Sequence, residues 1–224
     1  MGGHIVAIGG GSLLDPHSKL ETLVLDLSGV ESPRVCFLST AMAEHAEPIL
    51  RFYQAFGTRG CLPTHLELFG RPDNPAARLD DQDVIYVSGG NTANALALWR
   101  VHGIDEALRA AHERGAVLGG WSAGANCWFE DTVTDSFGPL RALGDGLGLL
   151  GGSFCPHYDS EVERRSTYTR LVAGGMAPGL AADDDAAFVF RDGELVDVVA
   201  QREGARGYRV TAAGEEPLDA RLLP

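Results

Sequence analysis

Ser122 has the sequence context of a nucleophile. It stands in the segment GGWSAGA (119–125), directly after a short apolar run. Gly120, Ser122 and Gly124 match the G-x-S-x-G pattern of a nucleophile elbow, a tight strand-to-helix turn that holds the serine oxygen at the N-terminus of the helix. Such a serine can attack a carbonyl carbon once a base accepts its proton. A glycine-rich turn that carries an incidental serine is the alternative that this motif leaves open.

Candidates for the base and for a carboxylate that orients it follow later in the chain. His157 comes after a short apolar run and Pro156, as expected of a loop at the end of a strand, and we favour it over the other histidines. A lone histidine is nevertheless more often structural than catalytic. Three adjacent acids, Asp183 to Asp185, precede another apolar run and could stabilise an imidazolium. A solvated turn is the alternative for these acids.

A second glycine turn could complete the site. The segment SGGNT (88–92) ends one predicted strand and begins a predicted helix. Its backbone N–H groups could stabilise an oxyanion, or bind an anion at the helix N-terminus. The glycines at 9–11 do not fit the dinucleotide-binding pattern G-x-G-x-x-G, because residue 14 is leucine.

Composition excludes several classes of protein. The chain has 31 acidic and 18 basic residues in 224, a formal net charge of −13, which disfavours binding to nucleic acid or to an anionic membrane. Lys19 is the single lysine, so there is no Walker A lysine and no Ser-Lys catalytic pair, and a fixed cation must be arginine or a metal. The histidine and cysteine spacing predicts no metal site, and no cofactor is predicted. With no signal peptide and no long apolar stretch, we expect a cytoplasmic protein.

The elements that must position these residues alternate between strands and helices. This alternation predicts a single α/β domain over residues 1–224, with a doubly wound, mostly parallel sheet and helices on both faces. Asp192-Gly193 indicates a β-hairpin near the C-terminus, whereas the glycine-rich segment 130–153 is expected to be mostly loop. Strands are predicted near 4–10, 34–40, 62–69, 83–90, 116–118 and 206–214, and helices near 15–27, 44–56, 91–103 and 104–115.

The whole chain resembles the peptidase E family of serine peptidases, which contains aspartyl dipeptidases and, more distantly, cyanophycinases. The matching pieces keep their order: IVAIGGGS, VIYVSGGNTANALALWR, GGWSAGANCWFEDTVTDS, GSFCPHYDSEVERRSTY and PGLAADDDAAFVF. The resemblance implies a fold related in topology to class I glutamine amidotransferases. It also implies Ser122 as nucleophile, His157 as general base, and an oxyanion hole formed by the backbone N–H groups of Gly90 and Ala123.

The third catalytic residue departs from the family pattern. The dipeptidase and cyanophycinase branches have a glutamate before the last apolar strand. Alignment from Phe188 backwards places Asp184 there, and alignment from Gly179 forwards places Asp183 there almost as well. We prefer Asp184, whose shorter side chain requires the backbone to approach the histidine more closely.

The resemblance also implies how a substrate would be bound. Aspartyl dipeptidases need a cation for the substrate carboxylate, and Arg164 and Arg165 follow the histidine; we favour Arg165, although a surface arginine is an equal alternative. Asp135 is proposed for the substrate amine, and Asn91 for substrate binding. The function expected is a serine dipeptidase acting on short peptides with an N-terminal aspartate, in a homodimer. Cyanophycinase-like hydrolysis of β-aspartyl-arginine units and a non-catalytic family member are the alternatives.

Overall fold

The computed structural model describes residues 2–70 and 72–224, and within them the chain builds two sheets. Strands are numbered along the chain. In spatial order, the first sheet contains β14 (Arg221–Leu222), β11 (Glu194–Ala200), β10 (Ala186–Arg191), β1 (His4–Ile8), β5 (Val117–Trp121), β4 (Val84–Val87), β2 (Arg34–Leu38) and β3 (Leu62–Leu66). From β1 to β3 all neighbours are parallel, and β10 joins the other side of β1 antiparallel. The predicted α/β fold with a mostly parallel sheet is confirmed for this first sheet.

Helices cover both faces of the first sheet, as predicted. They are α1 (Lys19–Asp26), α2 (Ala46–Phe56), α3 (Thr92–His102), α4 (Ile104–Glu113) and the short α5 (Ala123–Asn126). A sixth helix, α6 (Val162–Ala173), lies against the second sheet. Alternate residues of β1 separate two apolar cores: Val6 and Ile8 pack with the apolar residues of α1 and α2, and Ile5 and Ala7 with those of α3 and α4. This is the double-sided burial expected of a parallel strand.

The second sheet was not predicted, apart from the strand near 206–214, which is confirmed as β12. In spatial order it contains β13 (Gly214–Leu218), β12 (Gly207–Thr211), β9 (Gly179–Ala182), β8 (Leu150–Cys155), β6 (Phe129–Thr134) and β7 (Arg141–Leu143). The prediction that 130–153 is mostly loop is therefore wrong, because this segment holds most of β6, all of β7 and the start of β8. β7 is only 3 residues long, and Gly151 and Gly152 interrupt β8, so the period-two pattern by which strands are recognised is weak in this segment.

The predicted C-terminal hairpin is confirmed. β10 and β11 pair antiparallel around Asp192-Gly193, and the turn places both residues at positive φ, 51° and 81°. Asp-Gly suits such a turn because both residues tolerate positive φ. The hairpin continues the first sheet beyond β1, and residues 183–185 connect it to β9 of the second sheet.

No helix within residues 2–70 and 72–224 has the length and hydropathy needed to cross a bilayer.

Candidate active site

Ser122 lies on the turn that joins β5 to α5. Its backbone is strained, with φ 51° and ψ −114°, a region that non-glycine residues seldom occupy. The Ser122 N–H donates to the carbonyl of Ile8 at 3.0 Å, which fixes the turn against the end of β1. The conformation is that of a nucleophile elbow, in which strain directs the serine oxygen away from the sheet.

His157 and Asp184 come from the second sheet. β8 and β9 are parallel neighbours, with Cys155 paired to Ala181, so the segments that follow them leave the sheet at the same edge. His157 follows β8 after Pro156 and has a positive φ of 54°. Asp184 follows β9 in the link to β10. The two sheets therefore meet where β5, β8 and β9 end, and each contributes to the site.

The three side chains form a continuous hydrogen-bonded chain. Ser122 Oγ lies 2.8 Å from His157 Nε2, and His157 Nδ1 lies 2.7 Å from Asp184 Oδ1. The histidine and aspartate side chains are about one-fifth exposed, so water reaches the site without surrounding it. The hydrogen bond from His157 lowers the pKa of Asp184 against the opposing effect of burial, with a smaller contribution from the positive charge of Arg202. Asp184 is thereby kept as a carboxylate, the state that can stabilise an imidazolium.

Gly10 makes room for the His157–Asp184 pair. A Cβ on Gly10 would lie 2.3 Å from both His157 Cε1 and Asp184 Oδ1, well inside any real contact distance. The loop after β1 therefore packs directly on the pair. The glycines at 9–11 do not fit a nucleotide-binding motif, and in the structure they instead allow the backbone to approach the site closely.

The three adjacent aspartates do not form a solvated turn. Asp183 and Asp185 are buried, with 4% and 8% exposure. The carboxylate of Asp183 accepts hydrogen bonds from Arg206 N at 3.0 Å and Tyr208 Oη at 3.5 Å, and burial raises its pKa to about 6. Of the two acids that the sequence left open, the structure therefore places Asp184, and not Asp183, on His157.

The two backbone N–H groups assigned to an oxyanion hole lie on turns that begin helices. Ala123 is the first residue of α5, so its N–H has no partner within the helix. Gly90 has φ 121°, and a Cβ there would lie 2.2 Å from the carbonyl oxygen of Ala41. Within residues 2–70 and 72–224 neither N–H donates to another group. Both are thus available to a bound oxygen atom.

Asn91 caps α3 and links it to the loop after β6. Its Oδ1 accepts from Asn94 N at 2.9 Å, and its Nδ2 donates to the carbonyl of Ser136 at 3.0 Å. Asp135, predicted to bind a substrate amine, is 61% exposed, with Arg164 Nη2 3.9 Å from its carboxylate. Asn91 is therefore used by the fold itself, whereas Asp135 is accessible to solvent.

The two candidate arginines face in different directions. Arg164 is buried, donating to Glu161 at 2.7 Å and to the carbonyl of Val133 at 3.2 Å. Arg165 is half-exposed and forms a two-pronged ion pair with Glu215 of β13, with Nε 2.9 Å from Oε1. Its guanidinium also lies over the ring of Tyr158, 5.3 Å from the centroid. The structure thus brings the predicted arginine next to the residue after His157, but with a carboxylate of the same chain already bound.

Sequence reasoning missed two residues that contact Asp184. The Asp184 N–H donates to Asp159, and the Asp184 carbonyl accepts from Arg202. Nothing local to Arg202 marks it, because it lies 18 residues from Asp184 and 43 from Asp159. The one sequence signal for such a residue was the run of acids at 183–185, since buried carboxylates that lie close together favour a nearby cation.

Comparison with known proteins identifies the family. The family model for peptidase family S51 matches residues 5–198. The chain belongs to peptidase family S51. It is 47% identical to the uncharacterized peptidase YgaJ of Bacillus subtilis (strain 168), over 98% of both chains, and 38% identical to peptidase E of Citrobacter koseri over 38% of each. Membership of this family makes the protein a hydrolase of the peptidase class.

Solved structures support the S51 fold. A peptidase from an acI-B1 Actinobacterium aligns with a TM-score of 0.78 and 19% identity, covering 98% of this chain and 95% of its own. A putative peptidase E protein from Listeria monocytogenes EGD-e aligns with a TM-score of 0.66 and 20% identity, covering 89% and 99%. At these identities the similarity shows the shared fold.

Proposed function

We propose that this member of family S51 is a serine peptidase that uses Ser122, His157 and Asp184 as its catalytic residues. The observation that carries the proposal is the unbroken chain of short contacts, 2.8 Å from Ser122 Oγ to His157 Nε2 and 2.7 Å from His157 Nδ1 to Asp184. The strained backbone of Ser122 at the start of a helix supports the same assignment.

In this mechanism Ser122 Oγ attacks the carbonyl carbon of the scissile peptide while His157 Nε2 accepts its proton. The N–H groups of Gly90 and Ala123 stabilise the oxyanion, and Asp184 stabilises the imidazolium. His157 then returns the proton to the leaving amine, and the C–N bond breaks to leave an acyl ester on Ser122. A water molecule, deprotonated by His157, hydrolyses this ester and regenerates the serine.

Short peptides with an N-terminal aspartate are the proposed substrates. The resemblance to aspartyl dipeptidases supports this substrate class, and the curated relatives named peptidase E support a peptidase. Arg165 is the cation proposed for the substrate carboxylate. Since Glu215 already binds it, the substrate must share or displace that ion pair. The exposed carboxylate of Asp135 is proposed to bind the free amine.

Replacement of the nucleophile tests the mechanism. Ser122→Ala should lower kcat for Asp-Leu hydrolysis by at least on the order of 1,000-fold, because the acyl ester cannot form. Thermal unfolding checks that the fold is retained. Ser166→Ala, which removes an exposed hydroxyl on α6, is the matched control and should keep wild-type activity. Undiminished hydrolysis by Ser122→Ala would exclude the proposed nucleophile.

A substrate panel tests the proposed specificity. With p-nitroanilides of Asp, Glu, Asn and Leu, the wild type should prefer Asp, and Arg165→Ala should lose that preference chiefly through a higher KM. Glu215→Gln should instead lower KM for the Asp substrate, because it removes the carboxylate that competes for Arg165. A preference for Asp that survives in Arg165→Ala would assign the recognition to another group, of which Arg164 is the first to test.

A further inference from the structure

The main chain of Asp184 is held on both sides by charged side chains. Its N–H donates to Asp159 Oδ1 at 2.8 Å, and its carbonyl oxygen accepts from Arg202 Nη2 at 2.9 Å. The same Nη2 donates to Asp159 Oδ2 at 2.7 Å. Arg202, Asp159 and the Asp184 backbone thus form a closed ring of charge-assisted hydrogen bonds, which are the stronger kind in proteins.

The same guanidinium also holds the residue that follows. Arg202 Nε donates to Asp185 Oδ2 at 3.2 Å, while Asp185 Oδ1 accepts from Ser12 N at 3.0 Å. Asp185 has a positive φ of 66°, which is unusual for a residue other than glycine. The link from β9 to β10 is therefore fixed on either side of the Asp184 carboxylate, and it is tied to the loop that packs on His157.

Backbone placement matters more for an aspartate than for a glutamate. With one methylene between Cα and the carboxylate, Asp184 has little freedom to reach a histidine from a displaced backbone. The 2.7 Å contact to His157 Nδ1 consequently depends on where the 183–185 main chain lies.

We propose that Arg202 and Asp159 are positioning residues that act through Asp184 to keep His157 aligned with Ser122. The inference rests on the proposed serine peptidase function. A role in stability alone explains the arrangement poorly. Arg202 and Asp159 are 45% and 33% exposed, lie outside the apolar cores, and exposed ion pairs contribute little to folding. Their contacts are instead concentrated on the two peptide units that flank the Cα of the candidate acid.

The test is the second-order rate constant for labelling of Ser122 by a fluorophosphonate, corrected for the folded fraction. This rate reports activation of the serine and requires no knowledge of the substrate. Arg202→Gln should lower it by on the order of 10-fold or more, since small misplacements of catalytic groups are costly. Arg202→Lys should recover part of the rate, because a lysine ammonium replaces the charge but cannot match the planar guanidinium that donates to Asp159, Asp185 and the Asp184 carbonyl.

Hydrolysis of Asp-Leu by the same variants separates positioning from binding. Arg202→Gln should lower kcat with KM little changed. Arg221→Gln is the matched control: this arginine is 55% exposed and pairs with Asp197 away from the site, so its loss should leave labelling at the wild-type rate. Asp159→Ala combined with Arg202→Gln should cost less than the product of the two single effects, since the two side chains bind each other and both hold the main chain of Asp184.

The outcomes distinguish this inference from the proposed function. If wild-type Ser122 is not labelled and Asp-Leu is not cleaved, the serine peptidase mechanism itself fails. If the wild type is labelled and folded Arg202→Gln is labelled at the same rate, the positioning role is overturned. If Arg202→Gln does not fold, Asp159→Ala replaces it in the test, because this variant removes the acceptor for the Asp184 N–H. Labelling of Asp159→Ala at the wild-type rate would likewise overturn the positioning role.

Discussion

Three neighbouring residues of one chemical type have three different environments. The Asp184 carboxylate faces His157, that of Asp183 accepts from Arg206 N and Tyr208, and that of Asp185 holds Ser12 N. Their pKa values move in opposite directions, because His157 lowers that of Asp184 whereas burial raises that of Asp183. Neighbouring positions in the 183–185 link thus direct their carboxylates to different partners, and only that of Asp184 contacts the histidine.

The two amides test that assignment. Asp184→Asn preserves shape but removes the charge that stabilises the imidazolium and selects its tautomer, so kcat for Asp-Leu should fall by on the order of 10,000-fold. Asp183→Asn is the matched variant; it keeps an oxygen acceptor for Arg206 N and should retain kcat within a few-fold. Steady-state kinetics at pH 7.5 give the comparison. A larger loss in Asp183→Asn than in Asp184→Asn would reverse the roles.

At the scale of elements, local patterns predicted most strands of the first sheet, including the β10–β11 hairpin, and missed most strands of the second sheet. Strands β1 to β5 and helices α1 to α4 form in units whose apolar period is set within a few residues, so their sequence indicates them directly. The second sheet depends on pairings such as that of β9 with β12, across some 25 residues that no local window spans. Gly151 and Gly152 in β8 also interrupt the alternation that indicates a strand.

The same difference separates the residues of the site. The elbow around Ser122 could be predicted because strand, turn and helix are contiguous. The choice of His157 and Asp184 depended on the family resemblance, since their contact spans 27 residues and two parallel strands. Arg202 could not be predicted at all, because its role exists only once β9, β10 and β11 have assembled.

Helix α1 holds a buried carboxyl group that connects the core to the loop beside the site. Glu21 is fully buried; its Oε1 accepts from Leu14 N at 2.7 Å and from the Tyr86 hydroxyl at 3.1 Å, and Arg59 Nη2 lies 3.3 Å from Oε2. Burial raises the pKa of Glu21 to about 7 despite these hydrogen bonds and the arginine. Leu14 belongs to the loop that begins with Gly10 against His157, so Glu21 helps to anchor that loop.

The raised pKa predicts how stability depends on pH. Between pH 4.5 and 7 the folded state binds more protons at Glu21 than the unfolded state, so the free energy of unfolding falls as pH rises through this window. From pH 5.5 to 8 the wild type should lose about 2 kcal/mol relative to Glu21→Gln, measured by urea unfolding. His4 and His112, whose pKa values burial lowers, give the opposite slope in both proteins and cancel in the difference.

Glu163→Gln, which replaces an exposed glutamate on α6, is the control and should follow the wild-type pH profile. Parallel profiles for the wild type and Glu21→Gln would show that the buried carboxyl is not the group responsible.

At the scale of the whole molecule, the site lies where two sheets meet. Ser122 comes from the end of β5 in the first sheet, and His157 and Asp184 follow β8 and β9 in the second. The 183–185 link is the point at which the chain passes from the second sheet back to the first. Relative movement of the sheets would therefore change the 2.8 Å contact between serine and histidine, and the hydrogen bonds of the 183–185 link oppose such movement.

The net charge of −13 gives the last prediction. An anionic substrate must approach an acidic protein before a local arginine can bind it, and that repulsion extends about 30 Å at 10 mM salt but only about 8 Å at 150 mM. Asp-Asp carries two net negative charges at pH 7 and Asp-Lys none, yet both present the same N-terminal aspartate. Raising NaCl from 10 to 150 mM should therefore increase kcat/KM for Asp-Asp severalfold relative to Asp-Lys.

Because the local contact to the N-terminal residue is common to both dipeptides, its screening by salt cancels in the ratio. An unchanged ratio would mean that the field at the site is set by nearby groups such as Arg165 and not by the charge of the whole molecule.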